Sequence, residues 1–174
     1  MHRIIGRLDL RLRDPSGRTL ACRRATNTVM RGGAGLIADL FRGAATTAIN
    51  GMAVGIGSEP PVPPFDSDAL VTSNPDATPA ILRFAIPIAP EAMTVEVIER
   101  DFKVRLRVRG LLPAEFAQDP AGNSVEFGEA GLGVLAPDGL SLARLYNRVV
   151  FEPIRKEKDQ EIALYWDVDF PYGS

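Results

Sequence analysis

Hydrophobic and polar residues alternate strictly over residues 7–13, RLDLRLR, with Leu8, Leu10 and Leu12 on one side and Arg7, Asp9, Arg11 and Arg13 on the other. That period of two predicts a half-buried strand. DPSG at 14–17 is a turn, with proline presetting φ and glycine free to take positive φ. RTLACRR then returns as its hairpin partner, so residues 3–24 form an N-terminal hairpin. The period changes over 27–43, NTVMRGGAGLIADLFRG. Val29 or Met30, Leu36, Ile37, Leu40 and Phe41 make one helical stripe, Asn27 or Thr28 is placed to cap its start, and Gly43 falls where a helix stops. Each glycine inside that helix costs about 1 kcal/mol relative to alanine, so packing, against a close backbone, has to hold it.

Nearly everything that follows has strand character: INGMAVGIG, then 80–88, 94–101, 102–110, 123–135, 140–151 and 161–170. The last three are joined by turns at APDG (136–139) and KEKDQ (156–160), which predicts a meander. Residues 59–79 carry six prolines and form a long loop or arm. Eight or nine strands and one helix predict a mainly β chain, an antiparallel β-sandwich or flattened barrel with the helix packed across it, in one domain spanning 1–174.

Composition narrows the function. The 174 residues carry a net charge of −2, with 45% hydrophobic and 24% charged residues, so no bulk field draws the chain to nucleic acid or a membrane surface. No apolar run is long enough to span a bilayer. The alternating charges of the first 14 residues differ from a secretory leader, which predicts synthesis in a cytoplasm. The single cysteine, Cys22, permits no intrachain disulfide, and the single histidine, His2, leaves little for a catalytic triad or a histidine metal site. The expectation is a chain without enzymatic activity, cofactor or metal.

Four features invite a chemical reading. MAVGIGSEPPVPPFDSDAL (52–70) starts like a phosphate loop, but Gly55 and Gly57 are followed by Glu59, Pro60 and Pro61. No third glycine or lysine follows, and no helix can run through those prolines; the glycines end a strand and turn sharply. Asp66, Asp68 and Asp76, and Glu126 and Glu129 about Gly128, are acids for general acid–base work or a hard cation, yet DSDALVTSNPD lacks the calcium-loop glycine and glutamate. Lys103, Arg105, Arg107 and Arg109 form a basic comb on one strand face, with Arg100 just before it. The comb reads as a nucleic-acid contact, as a face solvated or answered by acids such as Glu96, or as a subunit interface. In ALYWDVDF, Leu164, Trp166, Val168 and Phe170 share a core face, opposite Tyr165, Asp167 and Asp169.

Several stretches, in order, resemble one family. NTVMRGGAGLIADLFRG is similar to a helix of tailed-phage virion proteins with the pattern N-x-x-x-x-x-G-x-x-x-I-A-x-L. INGMAVGIGSEPPVPPFDSDAL resembles their (I/M)-A-(V/L)-G-x-G strand, Pro-rich loop and D-x-A-L. GEAGLGVL is similar to their E-A-G-L-F segment, with Gly133 in place of the aromatic. LARLYNRVVFEPIRKEKDQEIALYWDVDF resembles their closing hairpin; the N-terminal hairpin matches none of this. The resemblance implies a structural component of a phage virion, in tail, baseplate or fibre attachment, or of a contractile injection machine. It implies symmetric subunit interfaces, a homo-oligomeric ring and other virion structural proteins as partners. On this reading the comb, Lys103, Arg105, Arg107 and Arg109, meets the loop acids Asp66, Asp68 and Asp76 of another copy. The alternative is a carbohydrate- or receptor-binding β-module of a fibre, which calls for an exposed aromatic platform.

Overall fold

A computed structural model describes residues 4–44, 47–72 and 83–173. Two antiparallel five-stranded sheets pack face to face as a β-sandwich with one α-helix. The strands are β1 (Ile5–Arg13), β2 (Thr19–Thr26), β3 (Thr28–Val29), β4 (Gly51–Gly55), β5 (Ala85–Pro87), β6 (Met93–Ile98), β7 (Lys103–Leu112), β8 (Val125–Leu135), β9 (Leu142–Lys156) and β10 (Glu161–Pro171), and the helix is α1 (Arg31–Phe41). One sheet, here sheet A, has the order β2-β1-β10-β7-β6; the other, sheet B, has β3-β9-β8-β4-β5. His2, Asp76, the end of the Pro-rich segment and the start of the 80–88 strand candidate lie outside the described residues.

The alternation of β1 translates directly into layers. Leu8, Leu10 and Leu12 are buried and meet Trp166, Leu164 and Ile162 of β10 across the ladder. Trp166 is fully buried and shares its core cluster with Phe151 of β9. The turn at 14–17 is closed by Gly17 at φ +82°, as the hairpin pattern requires.

Three expectations are corrected. The last three strands form no meander: β8 and β9 make a hairpin about Gly139, but β10 crosses to sheet A and inserts between β1 and β7. Its apolar side completes the core there, while Asp167 and Asp169 come opposite Arg107 and Arg105. Neither Asn27 nor Thr28 caps the helix. Met30 holds the cap position without a side-chain bond, Thr28 pairs with Arg148 in β3, and the Asn27 side chain accepts the Gly6 N–H at 2.8 Å. The stripe is also narrower than predicted: Met30 and Leu36 are buried, whereas Leu40 and Phe41 face solvent.

What fixes α1 is backbone proximity. A Cβ at Gly33 would come within 2.8 Å of the Tyr146 Cα on β9, so glycine is the residue that lets the helix lie this close. Tyr146 O then accepts the Met30 N–H at 3.0 Å, and Phe65 O, from the Pro-rich segment, accepts the Arg31 N–H at 2.8 Å.

Candidate functional site

The comb emerges on the outer face of sheet A, where β10 supplies acids to the bases of β7. Asp169 accepts two hydrogen bonds from Arg105, Nε to Oδ1 at 2.6 Å and Nη2 to Oδ2 at 2.9 Å. Lys103 Nζ stands 3.3 Å and Arg7 Nη1 3.2 Å from the same carboxylate. These charge-assisted bonds, from Arg105 foremost, pull the Asp169 pKa down to about 2 against the ordinary 3.8, and Asp169 in turn raises that of Arg105. Asp167 stands 3.4 Å from Arg107 and 3.5 Å from Arg105, and Glu96 of β6 stands 3.4 Å from Arg107.

The face continues with the same alternation toward β1 and β2. Asp9 accepts from Arg11 at 2.8 Å and from Arg24 at 2.9 Å, which holds its carboxyl below the usual range, the Arg11 bond being the larger cause. The Arg11 guanidinium lies 5.1 Å from the Tyr165 ring centre, and Arg13 donates to the Tyr165 hydroxyl at 2.7 Å. Strand pairing thus divides the comb. Lys103 and Arg105 are mostly covered, at 18% and 16% side-chain exposure, whereas Arg107 and Arg109 stay exposed. Asp66 and Asp68 lie on sheet B's side, at the start of α1: Asp66 stands 3.7 Å from Arg31, and Asp68 lies beside Gly32. One chain therefore does not bring the comb together with Asp66 or Asp68.

A second charged centre lies inside sheet B. Glu129 of β8 is fully buried and pairs with Arg148 of β9, itself 8% exposed. Glu129 Oε1 also accepts the Val71 N–H, so the carboxylate ties down the Pro-rich segment at Val71. The G-x-G stretch wraps this group. A Cβ at Gly55 would stand 2.8 Å from Val71 O and one at Gly57 2.8 Å from the Glu129 carboxyl carbon. Neither glycine has positive φ. Their role is close approach to a carboxylate of the same chain, which is the wrong charge to cradle phosphate.

The sequence pattern offers Glu129 with Glu126 as an acid for acid–base work or a hard cation and gives no sign of its pairing with Arg148. The available signal was its place among small residues, GEAGLG, where an alternating exposed face would carry more polar side chains. Asp167 and Asp169 were read onto the outward parity, but the expected meander put β9 beside β10 and hid their partners. Among the described residues no three His, Cys, Asp or Glu side chains converge as a metal centre needs. An apolar void of about 60 Å³ near Tyr146 has room for a water or two; burial raises the Tyr146 pKa, and its hydroxyl has no hydrogen-bond partner among the described residues.

Comparison of the chain with protein-family models, with curated proteins and with solved structures finds no match.

Proposed function

We propose that the chain is a non-catalytic structural subunit of a phage virion, in the tail or baseplate, that works through symmetric contacts with its own copies and with other virion proteins. The observation that supports this reading is that the segments carrying the resemblance bond to one another. Arg148 of LARLYNRVV pairs with Glu129 of GEAGLG, and Glu129 holds Val71, the residue after DSDAL. Gly55 and Gly57 of AVGIG close over that carboxylate, and Gly33 of the glycine-rich helix seats on Tyr146. Dispersed in sequence, these motifs make one interlocked unit, so their joint occurrence has a physical reason.

On this reading the exposed part of the comb, Arg107 and Arg109, takes acids from a neighbour, with Asp66 and Asp68 of another copy as candidates. Opposite potentials of this kind select partners more than they add affinity. The fibre-tip alternative draws nothing from Trp166, which is fully buried. The test is the native mass of the purified protein, alone and mixed with the proteins encoded beside its gene, with electron microscopy of any large species. A closed multimer or a defined co-assembly is expected. A chain that stays monomeric in both settings at high concentration overturns the proposal.

A further inference from the structure

We infer that copies of the chain join head to tail, the free edge of β6 in one subunit adding to the free edge of β2 in the next. This rests on the assembly role proposed above and specifies how copies meet. Both strands end sheet A, and among the described residues no further strand pairs with either. An open edge is a template for strand addition, and proteins ordinarily blunt it. β6 does the reverse: Val95 and Val97 are 70% and 60% exposed on the side of the sheet that is core-facing elsewhere.

Charge chooses between the possible pairings. Residues 18–26, on and before β2, carry Arg18, Arg23 and Arg24 and no acid. Residues 90–101, on and about β6, carry Glu91, Glu96, Glu99 and Asp101 against Arg100 alone. A two-fold contact of β6 with β6 would set acids against acids, and one of β2 with β2 arginines against arginines; like charges opposite each other are destabilising. Only β6 with β2 sets opposite signs together. The faces agree as well. Glu96 stands on the outer face through its pairing with Arg105, and Arg24 does so through Asp9, while Val95 and Val97 share the inner face with Ala21, Ala25 and Arg23, whose guanidinium donates to the Glu152 and Pro153 carbonyls of β9.

Strand direction fixes the geometry. Four antiparallel steps separate β2 from β6, so the two run the same way. Subunits related by continuation of the sheet therefore pair β6 and β2 in parallel. A contact between different surfaces of identical copies propagates into a ring or a filament.

Cys22, an exposed thiol on the outer face of β2, is a built-in probe. Thr94→Cys or Glu96→Cys places a second thiol on the outer face of β6, within disulfide reach of a neighbouring β2 in register. Mild oxidation of these variants at assembling concentration should give a ladder of covalent multimers on a non-reducing gel. The ladder should vanish on adding Cys22→Ser and be absent for Val95→Cys, which points the other way. In the unmutated protein, amide exchange along β2 and β6 should slow tenfold or more as concentration rises into the multimer range. Covalent dimers that survive Cys22→Ser, or multimers by native mass with neither cross-link nor edge protection, overturn the inference and leave the structural role standing. A protein monomeric throughout overturns both.

Discussion

Asp169 and Glu129 are both paired with arginine, and the two sheets put them in opposite circumstances. On sheet A the pairing is shared out: Asp169 answers Arg105, Lys103 and Arg7, and its neighbours Asp167, Glu96 and Asp9 answer further arginines. On sheet B one carboxylate and one guanidinium meet away from water beneath two glycines. A distributed network on a partly exposed face loses less when one member goes, because the remaining charges compensate. A single buried pair loses much, because the survivor is left charged and desolvated. The comparison separates two uses of one chemistry: sheet B uses it to fix a unique arrangement of loop and strands, and sheet A to keep a charged face ordered and available.

Removing Glu129 strains that contrast most. Glu129→Ala should cost about 3–5 kcal/mol in chemical denaturation, while Glu129→Met combined with Arg148→Met should cost clearly less than the single change. If the single variant melts like the parent, the buried pair holds nothing. Next comes the glycine cradle. Gly55→Ala pushes a methyl against Val71 O and the carboxylate, and should cost about 1–3 kcal/mol, as overpacking does. Full stability in that variant would show that β4 and the segment after it can move apart freely.

Asp169 sharpens the comparison from the other side. Folding holds its pKa at about 2 against an ordinary 3.8. Its contribution is therefore complete above pH ~4 and is lost as the pH falls toward ~2. Asp169→Asn should cost about 1–2 kcal/mol at neutral pH and flatten the acid limb of the stability curve; an unchanged acid limb would remove Asp169 as its origin. The smallest effect on stability belongs to Arg107→Glu with Arg109→Glu, below about 1 kcal/mol because both side chains are exposed. Arg105 is left intact in that variant because its reversal would strand buried Asp169. Contacts made through the comb, with Asp66 and Asp68 of another copy or with other virion proteins, should nevertheless fail while any β6–β2 multimers persist, and normal co-assembly by native mass would reduce the comb to a solvated face.

Local pattern made some of this legible. The β1–β2 hairpin and its glycine turn followed from seven alternating residues and DPSG, and the glycine-rich helix correctly implied a close backbone. Partners distant in sequence were the obstacle. Nothing local to KEKDQ says that the chain changes sheets there, and that one crossover decides whether Arg105 faces Asp169 or solvent. The burial of Glu129 was equally hidden, since an acid on a strand reads as surface until its arginine is seen 19 residues on, in the neighbouring strand. Helix capping failed for a related reason: Thr28 had two roles open to it, and pairing with Arg148 won.

The place of β10 also governs the order in which the molecule can be made. β1 is synthesised about 150 residues before its main partner, β10, and long-range pairing of this kind slows folding. Throughout elongation the hairpin of β1 and β2 carries Leu8, Leu10 and Leu12 uncovered beside an unpaired edge, the exposure that drives nascent chains to aggregate. A chain stopped at Gln160 is accordingly expected in the insoluble fraction of an expressing cell, or bound to a chaperone, and its appearance as a soluble folded species would show that sheet A can close without its central strand.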